Sequence, residues 1–146
     1  MEDIFKLIKE EKIPRVCFYH LVYSGRGSKM VDEDISKEET RQALDLIISK
    51  AIEFGPSVEI LTVDNHADAV YTYLKSLEKF KDKSDNILKL LKTNGGNRSG
   101  MAFANVDFFG NVHPDQFTWQ HTFGNVKEEK FGSIPVSYTH LWWREG

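Results

Sequence analysis

Asp64-Asn65-His66-Ala67-Asp68 puts two carboxylates and an imidazole within one turn of chain, where the hydrophobic period of the sequence changes. Such a set could ligate a divalent metal or move a proton, since imidazole and carboxylate are common metal ligands and bases. The same residues also suit the start of a helix, with Asn65 or Asp64 as the cap and acidic charge against the positive end of the dipole. Polar caps are far commoner than D-x-H-x-D metal sites, so the capping role is favoured. His113, Asp115 and His121, with Asp107 nearby, form a second polar group. They could hold a metal, or one histidine could be an axial ligand to a haem-like iron. Their spacing matches no diagnostic interval, which favours surface and turn positions in an aromatic-rich hairpin. Arg26 stands between two glycines in Ser24-Gly25-Arg26-Gly27, and Arg98 stands in Asn94 to Gly100. Each loop could cradle an anion through exposed backbone N–H groups and a two-pronged guanidinium contact, or be a plain turn.

These residues need elements to carry them. Ile4, Phe5, Leu7 and Ile8 give a short helical stripe that ends before Pro14. Arg15 to Tyr23 is apolar on both faces, as a buried parallel strand reads. Ser36 and Glu39 form a capping box, and Ala43, Leu44, Ile47, Ile48, Ala51 and Ile52 line one face of the helix it opens, which stops at Gly55-Pro56. Ser57 to Val63 is a second strand, placing Asp64, His66 and Asp68 at its C-terminal end, where β-α folds gather functional residues. A helix follows from Ala67, and another begins at Ser84-Asp85 and closes at Asn94-Gly95-Gly96. The pattern predicts an α/β fold with Arg15 to Tyr23 and Ser57 to Val63 as parallel neighbours and the helix from Ser36 to Phe54 crossing between them. After Gly100, two short extended runs flank Asp107-Phe108-Phe109-Gly110, a hairpin signal.

A chain of 146 residues with 40% apolar content can bury one core. Its net charge of −3 comes from well-mixed acids and bases, which argues against nucleic acid as a partner. No run is long and apolar enough to span a membrane, and the charged opening "EDIFKLIKEEK" does not read as a signal peptide, so a cytoplasmic location is expected. One cysteine, Cys17, excludes an internal disulfide and a cluster held by this chain's thiolates alone.

Four blocks, "FYHLVYSGRGS", "EILTVDNHADAVYTYL", "LLKTNGGNRSGMAFANVDFFGNVHPDQF" and "HTFGNV", resemble in order the C-terminal half of the radical S-adenosylmethionine (SAM) enzymes of siroheme-dependent haem biosynthesis. Within that family they look nearest to the deacetylase of 12,18-didecarboxysiroheme. The resemblance implies the C-terminal part of a partial (β/α) barrel: residues 1–66 as its last portion, 67–131 as a helical and hairpin extension, and 132–146 as an irregular tail that reads as a truncated or foreign end. It implies a 4Fe-4S cluster and S-adenosylmethionine in the full-length enzyme, acting on a tetrapyrrole substrate whose acetate arms become methyls. The cluster loop, C-x-x-x-C-x-x-C, is absent, and Asp115 stands where related sequences carry cysteine, so this chain alone is expected to bind neither cofactor and to be inert. Arg26, Asp64, His66, Arg98, His113 and His121 are the candidate substrate contacts. Two other functions suit the same residues: a non-catalytic haem- or siroheme-binding module, and a small metal-dependent hydrolase on Asp64, His66 and Asp68. A barrel strand lacking a neighbour should leave the row Val16, Phe18, His20 and Val22, or the opposite row, exposed and prone to self-association.

Overall fold

The computed structural model describes residues 1–134, which fall into two compact units, Met1–Asn94 and the described residues from Gly95 on. In the first, α1 (Glu2–Glu10) buries Phe5 and Ile8 and leads through Pro14 into β1 (Arg15–Tyr19). Helix α2 (Lys37–Phe54) starts at the anticipated capping box: Ser36 Oγ accepts from the Glu39 N–H at 3.2 Å, and Glu39 accepts from the Ser36 N–H at 2.8 Å. Those bonds from Ser36 hold the Glu39 carboxyl below its usual range. Gly55, at φ 56, ends the helix, a conformation that suits a residue without Cβ. β2 (Glu59–Val63) then pairs with β1 in parallel, from Arg15 opposite Glu59 to Tyr19 opposite Val63. The predicted β-α-β unit is therefore present.

Both strands are shorter than their sequence runs for local reasons. Gly55–Ser57 is taken by a 3-10 turn, so β2 starts at Glu59 rather than Ser57. β1 loses its partner when β2 ends at Val63; one further bond, from the His20 N–H to the Val63 carbonyl at 3.1 Å, is all that follows. Phe5, Ile8, Leu44 and Ile47 form the core, with Val16, Phe18 and Ile60 packed against it. Val16 and Phe18 thus face inward, and the exposed row is the opposite one, where Tyr19 is 68% and Leu61 39% accessible.

Helix α3 (Ala67–Lys79) is tied to α2 by the Tyr71 hydroxyl, which donates to Asp45 at 3.0 Å, and by Lys75 at 3.4 Å from the same carboxylate. α4 (Lys81–Asn94) begins three residues before the expected Ser84, because the Ser84 hydroxyl satisfies itself on the Lys81 carbonyl inside the first turn instead of capping. In the second unit β3 (Asn105–Val106), β4 (Asn111–His113) and β5 (Gly124–Asn125) form an antiparallel sheet in that order. The hairpin between β3 and β4 is the expected one; β5 is an addition. Val112 is fully buried, and Ile134 is 5% exposed beside Gly124. Of the tail from Gly132, only residues 132–134 are among those described.

Ser36→Ala removes one half of the capping box and should lower stability by about 1 kcal/mol. Urea denaturation followed by helical circular dichroism measures this, and an unchanged midpoint would contradict the stated role.

Candidate functional site

The turn from β2 to α3 presents Asp64, Asn65 and His66 at the C-terminal end of the parallel pair. Asp64 has φ 70, a left-handed conformation uncommon for a residue with a side chain. Asn65 Oδ1 accepts from the Ala67 N–H at 3.0 Å, so the side-chain capping bond belongs to Asn65 and not to Asp64. His66 occupies the cap position without a side-chain bond, and both His66 and Asp64 are exposed. Asp68 does something other than face the helix dipole. It is 4% exposed, and its Oδ2 lies 2.8 Å from Nε2 of His20, the residue just past β1. Its Oδ1 is buried with no hydrogen-bond partner among the described residues. Asp68 therefore points away from Asp64 and His66, and among the described residues no three His, Cys, Asp or Glu side chains gather as a metal-holding group. The hydrolase centre on Asp64, His66 and Asp68 is not formed.

His20 escaped the sequence reading because it lay inside an apolar strand run. The available signal was its position: a polar residue on the core-facing row after Val16 and Phe18 requires a partner. It also lines a cavity of about 280 Å³ with Phe18, Thr40, Leu44, Ile47 and Thr62.

Arg26 lies in a 3-10 turn, Gly25–Lys29, exposed and with no hydrogen bond or ion pair among the described residues. A Cβ on Gly27 would fall 2.1 Å from the Val22 carbonyl oxygen, so this glycine is required by backbone approach and leaves Arg26 projecting from a fixed turn. Arg98 is likewise exposed in its loop, while its carbonyl accepts from the N–H groups of Met101 and Ala102.

In the second unit the histidines divide. His113 is 2% exposed, with Nδ1 2.7 Å from the His121 carbonyl and Nε2 3.2 Å from Asp107 Oδ2, and its ring stacks on Trp119 at 5.4 Å. Both nitrogens are engaged, so His113 braces the hairpin from inside. The His121 ring is exposed. Asp107 also accepts from the N–H groups of Phe109 and Asn111 and from Asn111 Nδ2. Burial raises its carboxyl pKa, but the bonds from Asn111, His113 and the backbone outweigh this and hold it at about 2. Asp115 closes the following loop, accepting from the N–H groups of Phe117 and Thr118 and from the Thr118 hydroxyl. Burial raises it, yet hydrogen bonds led by that from Ser99 leave it below the usual carboxylate range. A single cysteine, Cys17, half-buried in β1, does not fit an iron-sulfur cluster, and no step through one is derived for this chain.

The chain is similar to two curated synthases, in keeping with the sequence blocks. It is 52% identical over 134 residues to the Fe-coproporphyrin III synthase of Methanosarcina barkeri, covering 90% of this chain, and 37% identical over 139 residues to the pre-heme d1 synthase of Dinoroseobacter shibae, covering 92%. It spans about a third of the length of these curated relatives, 34% of each. No family model and no solved structure matches. No helix among the described residues is long and apolar enough to cross a membrane.

Asp107 has a folded pKa of about 2 against an ordinary 3.8, so its stabilisation is complete above pH 4 and disappears as pH falls through 2. Asp107→Ala should be less stable than wild type at pH 5 and lose less on acidification from pH 4 to 2. Urea midpoints across that range test this; equal acid slopes would contradict it.

Proposed function

We propose that this chain corresponds to the C-terminal third of a radical S-adenosylmethionine enzyme that removes acetate side chains from 12,18-didecarboxysiroheme to give an iron-coproporphyrin. The observation that carries it is 52% identity over 134 residues to a protein named Fe-coproporphyrin III synthase. The chain contributes a parallel β-α-β unit and an extension, while the cluster and S-adenosylmethionine belong to the remaining part of the enzyme. The exposed polar groups offered to a substrate are Arg26, Asp64 and His66 in the first unit and, taken separately, Arg98 and His121 in the second. The Arg26 and Arg98 side chains have no competing partner among the described residues, as suits the carboxylate arms of a tetrapyrrole. His113 braces the second unit from inside.

Alone the chain is inert. Anaerobic treatment with iron and sulfide should give no stoichiometric 4Fe-4S protein, and a stable brown species with a full cluster per chain would contradict this. The exposed row of Tyr19 and Leu61, on a two-stranded sheet whose outer edges are unpaired among the described residues, is where the rest of the enzyme would join. The isolated chain should self-associate through it, and a monodisperse monomer at high concentration in sedimentation would count against that.

The function itself is tested by a chimera in which residues 1–131 replace the homologous third of the Methanosarcina barkeri enzyme. Product formation should persist within about tenfold, since uniform small losses of contact cost of order 1.4 kcal/mol. A folded chimera that carries its cluster and cleaves S-adenosylmethionine yet makes no iron-coproporphyrin would refute the assignment.

A further inference from the structure

We propose that His20, through its pair with Asp68, is a positioning residue that holds the Asp64–His66 turn in place for contact with the carboxylate arms of an iron tetrapyrrole. This rests on the substrate class proposed above and adds the device that presents the contact. His20 grips the turn at both ends. Its backbone N–H donates to the carbonyl of Val63, the last residue before the turn, and its ring meets the carboxylate of Asp68, just beyond it. Between those two anchors lie Asp64, with φ 70, and the exposed His66 ring. A left-handed residue with a Cβ persists when its surroundings over-determine it, and two anchors from one side chain and its own backbone do so here.

Asp68 supplies the independent observation. A helix start needs a cap, and Asn65 already provides one at 3.0 Å. A carboxylate that served only the dipole would stay in water. Instead Asp68 is 4% exposed with Oδ1 lacking a hydrogen-bond partner among the described residues, an arrangement that costs stability. A buried polar pair left half satisfied is commonly matched or improved in stability by apolar residues of similar size. Geometry at the turn, rather than strength of the fold, is therefore what the pair supplies. His20 also lines the cavity of about 280 Å³ beside the end of β1, so the pair lies next to open space.

The test titrates the 146-residue chain with ferric coproporphyrin III, following the Soret absorbance, and measures thermal midpoints in parallel. His20→Leu combined with Asp68→Leu should keep or raise the midpoint while weakening porphyrin binding about tenfold, as loss of a supporting contact does. His20→Gln, which preserves a donor near the Nε2 position, should restore binding to near wild type. Asp64→Gly, which loosens the turn between the two anchors, should weaken binding. Wild-type affinity in the double leucine variant, failure of His20→Gln to rescue, or wild-type affinity in Asp64→Gly would each overturn the positioning role with the substrate class intact. Absence of binding by the wild-type chain would overturn the substrate class and this inference together. Should the double variant not fold, the other two substitutions decide the question.

Discussion

The parallel pairing of β1 with β2 is the constraint on which the first unit depends. Five residues of each strand match, and the ladder closes at Tyr19 and Val63. Everything at the C-terminal end of the sheet is placed by that closure. The His20 N–H, one residue past the end of β1, reaches the carbonyl of Val63, the last residue of β2, and His20 can then meet Asp68 because α3 begins within four residues of β2. The register is fixed from the other side by Val16, Phe18 and Ile60 packing on Leu44 and Ile47, since a slip of one residue would turn this row to water.

Both units use an aspartate–histidine contact, with different consequences. In the hairpin, Asp107 is saturated: His113, two backbone N–H groups and Asn111 all donate to it, and its pKa of about 2 records that satisfaction. Gly110 completes the turn at φ 94, where an added Cβ would lie 2.7 Å from Asn125 Oδ1. This pair belongs to the architecture. Asp68 is only half satisfied among the described residues: His20 meets its Oδ2, while its Oδ1 is buried without a partner.

The helices and the parallel unit were legible because their signals are local. The capping box at Ser36 and Glu39, the apolar stripe behind it and the stop at Gly55-Pro56 all operate within a few residues. The hairpin at Asp107 to Gly110 was legible for the same reason. β5 was not, because two residues, Gly124 and Asn125, carry no period, and they become a strand only when β4 lies beside them. The true partner of Asp68 is 48 positions away, so its neighbours His66 and Asp64 drew attention that belonged to His20. His113 was ambiguous on similar grounds: a histidine in a hairpin reads alike whether it faces solvent or, as here, closes a buried network.

Among the described residues, Arg26 and Arg98 stand exposed on turns and neither outer edge of the two-stranded sheet is paired. On the function proposed above, this chain is the substrate-side part of a radical S-adenosylmethionine enzyme whose cluster loop lies elsewhere. Sequencing the genomic DNA upstream of the Met1 codon tests it most directly. The account expects an open frame that continues upstream and encodes a C-x-x-x-C-x-x-C loop. An upstream in-frame stop with no such loop in any nearby frame would contradict it.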